Sequence, residues 1–454
     1  MSSYTNSKKL VMIGSGVSAR GALQVIKDQQ QKHNYSITVI RNHPAQVVPC
    51  AIPYIFKRLK PTNIEIPDNN WSKVNAEIIN DKVDSIDREN SKVILNNGET
   101  VMYDKLLIAT GADPVKPPIK GNEKKNVYFV EKNIELLQEL QEKIFQSRSI
   151  AIIGGGCIGV ELADELSLLE HLDSIHLVEA ENNLLPKAFD EDISSELENI
   201  LKEKINIYTE EIVKEIKGDE AVESVELSSS GEIDCDLVIC AIGVSPNTSI
   251  AQDAGLLLGN DGGIAVDDYF YTSDPAIMAC GDCTSKRDHT SGKEAGIRLA
   301  STAAMEGIIA GLNVEKKNVP HNKGVINNFT TKIGTTVFGA TGVTEKDALE
   351  NNYDVVTLKN NFPNRHPTKL PGAEEISVKL IFNKPDARIL GGQVKGSECA
   401  AELVNVIGTA VQNNLTAFQL ASSQYTTHPL LTTGPTGYPL LKLSVEACST
   451  LGRI

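Results

Sequence analysis

Ile150-Ala151-Ile152-Ile153-Gly154-Gly155-Gly156-Cys157-Ile158-Gly159 decides the fold. Four apolar residues read as a strand buried on both faces, and the glycines after them as the turn into a helix, here Val160-Glu161-Leu162-Ala163-Asp164-Glu165-Leu166. In that setting G-x-G-x-x-G is a dinucleotide fingerprint. Gly154 permits the tight turn, Gly156 lets the backbone approach a pyrophosphate, and Gly159 completes the pattern. The anion then rests on the N–H groups and positive dipole end of the helix. The same plan occurs earlier in Leu10-Val11-Met12-Ile13-Gly14-Ser15-Gly16-Val17-Ser18-Ala19, a G-x-G-x-x-A form with Gly14, Gly16 and Ala19 at the key positions. Two copies in strand–glycine–helix settings predict two nucleotide sites in one chain.

The two sites differ about 20 residues downstream, where an acidic residue holds the adenosine ribose. After the second loop, Ser174-Ile175-His176-Leu177-Val178 ends in Glu179, which accepts from a ribose diol and repels a 2′-phosphate; this predicts NADH over NADPH. After the first loop, Ser36-Ile37-Thr38-Val39-Ile40 ends in Arg41 instead. Arg41 is read as meeting a phosphate or the adenine face, or as a solvated strand end.

Between the loops lies Val47-Val48-Pro49-Cys50-Ala51-Ile52-Pro53-Tyr54. Pro49 suits the first position of a helical turn, which would set the Cys50 sulfur in the positive field of an N-terminus and lower its pKa. Two nucleotide sites and one such thiol predict an electron relay. A second pair, Cys280-x-x-Cys283, has no companion C-x-x-C or His pair, so no metal site is expected.

The 454 residues exceed one core and predict two or three domains. A net charge of -15 without a basic, aromatic-interleaved block argues against nucleic acid. No apolar run approaches the roughly 18 residues of a membrane span, and the opening Met1 to Lys9 runs straight into a four-residue apolar strand, too short for the expected core of a signal peptide. Eight scattered cysteines suit free thiols in a reducing cytoplasm. A first βαβ unit closes with Tyr103 to Ala112; a linker with Pro114, Pro117 and Pro118 follows. A second unit closes alike, with Cys235 to Gly243, as if one plan were duplicated. A helical pattern then runs from Gly296 to Gly311, and the last stretch alternates short strands with one helix near Ser397 to Asn413.

The order G-x-G-x-x-A, a single Cys50, Ala109-Thr110-Gly111, G-x-G-x-x-G and Cys280-Gly281-Asp282 resembles the flavin-dependent pyridine nucleotide disulfide oxidoreductases over nearly the whole chain. The resemblance implies an α/β fold with two Rossmann-like three-layer nucleotide-binding domains and a C-terminal α+β dimerisation domain. It implies FAD in a discontinuous domain of residues 1–113 and 242–325, NADH in residues 114–241, and a homodimer through residues 326–454. On the flavin side it implies Arg41, Thr110, Gly111, Asp282 at the ribityl or pyrophosphate, and backbone of Leu299 and Ala300 at a helix start favouring the reduced ring. Gly243 closes the second unit as Gly111 closes the first, and Glu161 falls beside nicotinamide and flavin.

Around Cys50 the chain resembles the single-cysteine branch of that family, the coenzyme A disulfide reductases and the NADH oxidases or peroxidases. A C-x-x-x-x-C pair would need a second cysteine where Ile55 stands, so no local disulfide can form. Two positions depart from the relatives' pattern. Val17 stands where the oxidases and peroxidases carry a histidine, and Lys369-Leu370-Pro371-Gly372 where the coenzyme A enzymes use a tyrosine. His428, in Thr427-His428-Pro429, resembles the acid/base that a partner subunit contributes; Tyr425 and Tyr438 are further pocket or interface candidates. The expected activity passes electrons from NADH through FAD to Cys50 and on to a small disulfide, persulfide or polysulfide. An NADH oxidase and a flavin redox sensor or reductase serving a protein partner are the alternatives.

Overall fold

The computed structural model describes residues 7–452; the opening Met1 to Asn6 lies outside the described residues. The first sheet is parallel throughout, in the order Ile277–Ala279, Lys105–Ile108, Lys8–Ile13, Tyr35–Arg41, Glu77–Asn80. The apolar run of Lys8–Ile13 is buried on both faces. Leu10 and Met12 pack with Ala19, Leu23 and Ile26 of the helix Val17–His33, whereas Val11 and Ile13 pack with Val83, Ile86, Val93 and Leu95. Those last four belong to a small antiparallel sheet, Val83–Asp87, Lys92–Leu95 and Thr100–Met102. The result is three layers, with the glycine loop at the carboxyl end of the central strand.

The second sheet repeats the plan: Val127–Phe129, Leu237–Cys240, Ser149–Ile153, Ser174–Val178, Asn206–Tyr208, all parallel. Ile150 and Ile152 face the helices; Ala151 and Ile153 face the antiparallel strands Val213–Lys217, Ser224–Leu227 and Glu232–Asp234. The two sheets are joined by Ala112–Pro114 running antiparallel to Val244–Pro246. The duplication expected from the two closing strands thus extends to the layer on each sheet's far face.

The helical pattern placed at Gly296 begins at Ala300 and runs to Asn313, and this helix lies along Val17–His33. Glycine makes that approach possible: a Cβ on Gly307 would sit 1.9 Å from the Ser18 carbonyl oxygen. The close packing brings the Leu299–Ala300 helix start to the first glycine loop.

Residues 328–396 form an antiparallel sheet in the order Asn328–Ile333, Thr336–Gly342, Ile389–Gly396, Glu375–Asn383, Val355–Pro363. Two of its strands run nine residues, longer than expected. The expected single helix is Cys399–Gln412, and the structure adds two short ones, Glu345–Glu350 and Ala417–Ala421, and a second long helix, Pro439–Thr450, which starts with proline at its first turn. Pro435 and Gly437 nearby disguise that second helix as loop sequence. No helix of the described residues is long and apolar enough to cross a membrane.

Candidate active site

Pro49–Phe56 is a 3-10 helix capped by Val48, with Pro49 at its start, so Cys50 occupies the first turn as expected. Its thiol keeps a path to solvent. The expected lowering of its pKa is not met: burial by the surrounding protein pushes the thiol up, the Glu161 carboxylate adds to that, and Lys132 opposes it. A helix end typically supplies about 0.3–1 kcal/mol, and here it works against both desolvation and the charge of Glu161.

Glu161 lies on the helix Cys157–Leu166, which packs against Pro49–Phe56. It is partly buried, unlike a solvated helix carboxylate. The hydroxyl of Thr331, from the C-terminal strand Asn328–Ile333, donates to its Oε1 at 2.8 Å. Burial, with a smaller push from Glu165, raises the carboxyl to about 7 despite that bond. The sign of the consequence follows: from the ordinary 4.5 to about 7, the folded chain holds a proton that the unfolded chain has released. Stability is therefore lost as pH rises through that window. Glu161→Gln, having no such proton, should resist melting better than wild type at about pH 8 and not at about pH 4, a relative gain of about 1–3 kcal/mol by calorimetry. Parallel melting curves at both pH values would refute the shift.

The first glycine loop leaves its backbone open to a ligand. Gly14 has φ +102, and a Cβ there would meet the Ala109 carbonyl oxygen at 2.2 Å; at Gly16 a Cβ would meet nothing, so that backbone faces open space. Ala19 is fully buried beneath. Asp282 Oδ1 is buried without a hydrogen-bond partner, and its Oδ2 is 3.5 Å from Lys132 Nζ. The helix start at Leu299 and Ala300 has no side-chain cap. An orphaned acceptor, an open glycine and free helix N–H groups together fit the flavin nucleotide. Thr110 Oγ1 donates to the Asn247 carbonyl at 2.6 Å, and Asn247 N–H donates to the Gly111 carbonyl, fastening this edge to the crossover beyond Gly243. Arg41 is not a solvated strand end. It is buried, bidentate on Asp68 at 2.7 Å for both bonds, with Nε donating to Asn80 at 2.9 Å.

The second loop has the same backbone geometry. Gly154 has φ +109, a Cβ on Gly156 would meet nothing, and a Cβ on Gly159 would lie 1.9 Å from the Gly154 carbonyl oxygen. Glu179 stands against this loop: one oxygen accepts from Gly155 N–H at 2.6 Å, the other from Glu181 N–H at 2.9 Å.

Other candidates stay apart. His428 lies on an exposed C-terminal loop, where its N–H donates to Thr432 Oγ1 at 2.9 Å and its Nδ1 accepts from Leu430 N–H. Tyr438 stacks on Tyr425 with ring centres 4.4 Å apart. Cys280 and Cys283 are buried and unpaired, and the described residues contain no cluster able to hold a metal. Burial pushes both thiols up, as it pushes Cys157 to about 12.

Three ion pairs escaped sequence reasoning. Arg58 reaches Glu165 at 2.8 Å, bracing the Cys50 segment on the helix of Glu161. Arg298, paired with Asp261, donates to the Asp282 carbonyl at 3.0 Å. Lys286 and Glu306 form a fully buried pair at 2.7 Å; Lys286 also donates to the Gly281 carbonyl, and Gly281 N–H to Glu306. Glu306 had a signal, being the sole charge in an otherwise uncharged helix. Lys286→Met, leaving Glu306 unpaired, should cost about 3–5 kcal/mol and loosen Asp282. The measurement is the melting temperature at which flavin fluorescence is released; an unchanged value would count against this bracing.

Residues 8–307 match the family model described as pyridine nucleotide-disulphide oxidoreductase, and residues 330–436 match the dimerisation domain of the same family. The chain is 31% identical over 406 residues to an NAD(P)H coenzyme A polysulfide/persulfide reductase of Pyrococcus horikoshii, covering 86% of this chain and 88% of that protein. It is 30% identical over 434 residues to an NADH oxidase of Methanocaldococcus jannaschii, covering 92% and 94%. Among solved structures, an NAD-dependent persulfide reductase from A. fulgidus superposes with a TM-score of 0.89 at 28% identity, covering 98% of this chain and 84% of that one.

Proposed function

The chain belongs to the pyridine nucleotide-disulphide oxidoreductase family, and from that premise we propose that it is a flavin-dependent NADH oxidoreductase for small disulfides, persulfides or polysulfides. The observation that carries this reading is Cys50: a solvent-accessible thiol in a proline-started turn packed against the helix Cys157–Leu166, with no second cysteine in Pro49–Phe56. The FAD domain is residues 1–113 with 242–325, the NADH domain 114–241 and the dimerisation domain 326–454. Gly14, Gly16, Ala19, Thr110, Gly111, Asp282, Leu299 and Ala300 hold FAD; Gly154, Gly156, Gly159 and Glu179 hold NADH. Bound flavin supplies two-electron transfer between nicotinamide and sulfur.

This chain's residues do the rest. Thiolate at Cys50 attacks a sulfur of the acceptor, forming one S–S bond as another breaks. His428, on its exposed C-terminal loop, suits a role at the acceptor across a homodimer. Arg41, saturated by Asp68 and Asn80, serves the flavin side by shaping the strand end. The eight unpaired cysteines support a reducing, cytoplasmic setting.

The test is anaerobic NADH oxidation by the purified yellow protein against a panel of glutathione disulfide, coenzyme A disulfide, polysulfide and an alkyl persulfide. At least one sulfur acceptor should support turnover; none doing so would end this reading. The likeness to an NADH oxidase favours oxygen as the second reading. Val17 lies at the start of the first loop helix, where it offers no proton to an oxidised sulfur. NADH consumption in air should therefore run about tenfold or more below the best sulfur acceptor. Full-rate consumption in air, with water as product, would make the oxidase reading the correct one.

A further inference from the structure

We propose that Lys379, on the C-terminal sheet, is a positioning residue for NADH: with Gln393 it grips Asp190, and through the helix that Asp190 begins it sets the second glycine loop. The inference rests on the NADH reading of that loop and gives the C-terminal sheet a share in the nucleotide's site.

Asp190 caps the helix Glu191–Lys202, yet its carboxylate makes no bond to that helix, the usual work of a capping aspartate. It reaches to the C-terminal sheet instead. Oδ2 lies 2.9 Å from Lys379 Nζ and accepts from Gln393 Nε2 at 2.6 Å and Glu345 N–H at 3.1 Å; Oδ1 accepts from Lys346 N–H at 3.1 Å. The Asp190 N–H donates back to Gln393 Oε1 at 3.1 Å. Lys379 and Gln393 stand opposite each other on the paired strands Glu375–Asn383 and Ile389–Gly396, and both are buried. Lys379 Nζ also meets Asp192 at 3.2 Å and Glu345 at 3.0 Å, so one ammonium ties two carboxylates of the neighbouring unit to one of its own.

From Asp190 the connection runs on to the glycines by buried hydrogen bonds. In the same helix Ser194 Oγ donates to the Leu184 carbonyl at 2.6 Å, and Glu198 Oε1 accepts from Leu184 N–H at 3.0 Å. Leu185 N–H then donates to the Gly155 carbonyl at 2.9 Å. The Leu184 side chain fills the space beside that glycine, where a Cβ would meet it at 2.5 Å. Adhesion between the two units is already supplied by Phe189, whose ring lies 6.4 Å from Phe329 and 6.2 Å from Phe338. A buried ammonium adds little to adhesion, because desolvation offsets its attraction; what it adds here is direction. The neighbouring pairs of Lys359 with Asp192 and Lys395 with Glu196 lie at the half-exposed rim, where ion pairs hold weakly. Without Lys379, Asp190, Asp192 and Glu345 would repel one another, and the helix would turn away with Leu184 and Leu185.

The test uses the FAD-loaded protein and two readouts. Anaerobic stopped-flow reduction against NADH concentration gives the Kd for NADH and the limiting rate; amide hydrogen exchange of peptides covering Gly155 and Leu184–Leu185 reports the loop itself. Lys379→Met should raise the Kd about tenfold, leave the limiting rate and FAD content within about twofold, and speed exchange at Leu184 and Leu185 about tenfold. A lysine that only held the fold together would lower the melting temperature and leave the Kd alone. Gln393→Met removes the neutral half of the grip and keeps the ammonium, so both readouts should move the same way by about threefold. If Lys379→Met does not retain FAD, Gln393→Met decides. A Kd within about twofold of wild type in the deciding variant, or unaltered exchange at Leu184 and Leu185, would overturn the proposal. If NADH does not reduce wild type, the NADH reading fails, while the exchange profiles still judge whether Lys379 sets the loop.

Discussion

Replacing Cys50 by Ser should leave a yellow protein that binds FAD and is reduced by NADH, yet turns over disulfides or polysulfides at least about a thousandfold more slowly. The roles are separable by position. In the proposed assignment the nucleotides are held by the glycine loops, Asp282 and the uncapped helix start at Leu299, none of which uses the Cys50 sulfur. Anaerobic titration counts the difference: oxidised wild type should consume about two equivalents of NADH, one for flavin and one for oxidised Cys50, and the variant about one. Undiminished disulfide turnover in Cys50→Ser would refute the relay. Suspicion would not pass to Cys280 and Cys283, because both are buried with their thiols pushed up.

The second large effect concerns nicotinamide choice. Glu179 stands at the second glycine loop with its oxygens turned to Gly155 and Glu181 N–H, where a 2′-phosphate would meet a fixed negative charge. NADH should be preferred, and Glu179→Ser should narrow the ratio of kcat/KM for NADH over NADPH by about 1–3 kcal/mol, roughly 5- to 150-fold. Wild type preferring NADPH would reverse the assignment.

The parts of the fold written in periodic apolar runs and glycine turns were legible in the sequence. Both central strands and both loops fall where Leu10 to Ala19 and Ile150 to Gly159 place them. The small antiparallel layers, Val83–Asp87 with its neighbours and Val213–Lys217 with its own, were missed because their strands are short, irregular in register and cut by turns. The turn that carries Cys50 was legible in the sequence, but the electrostatics of its thiol were not: a helix start is visible in a sequence, whereas the helix of Glu161 comes to that turn only through tertiary packing. Arg41 shows the same limit. Its partner Asp68 lies 27 residues away on an irregular segment, so a buried bidentate pair looked like a strand end.

The parallel pairing of Ile277–Ala279 with Lys105–Ile108 sets an order of events on the ribosome. The second nucleotide unit occupies one unbroken stretch and is finished first; the unit that begins the chain must wait for roughly 170 more residues after Ile108, about ten to thirty seconds of translation. Throughout that interval Lys105–Ile108 is a bare sheet edge, and the helix Val17–His33 lacks its companion Ala300–Asn313. The first unit is thus complete only once Ala300–Asn313 has been made, when every strand of the second sheet has already left the ribosome.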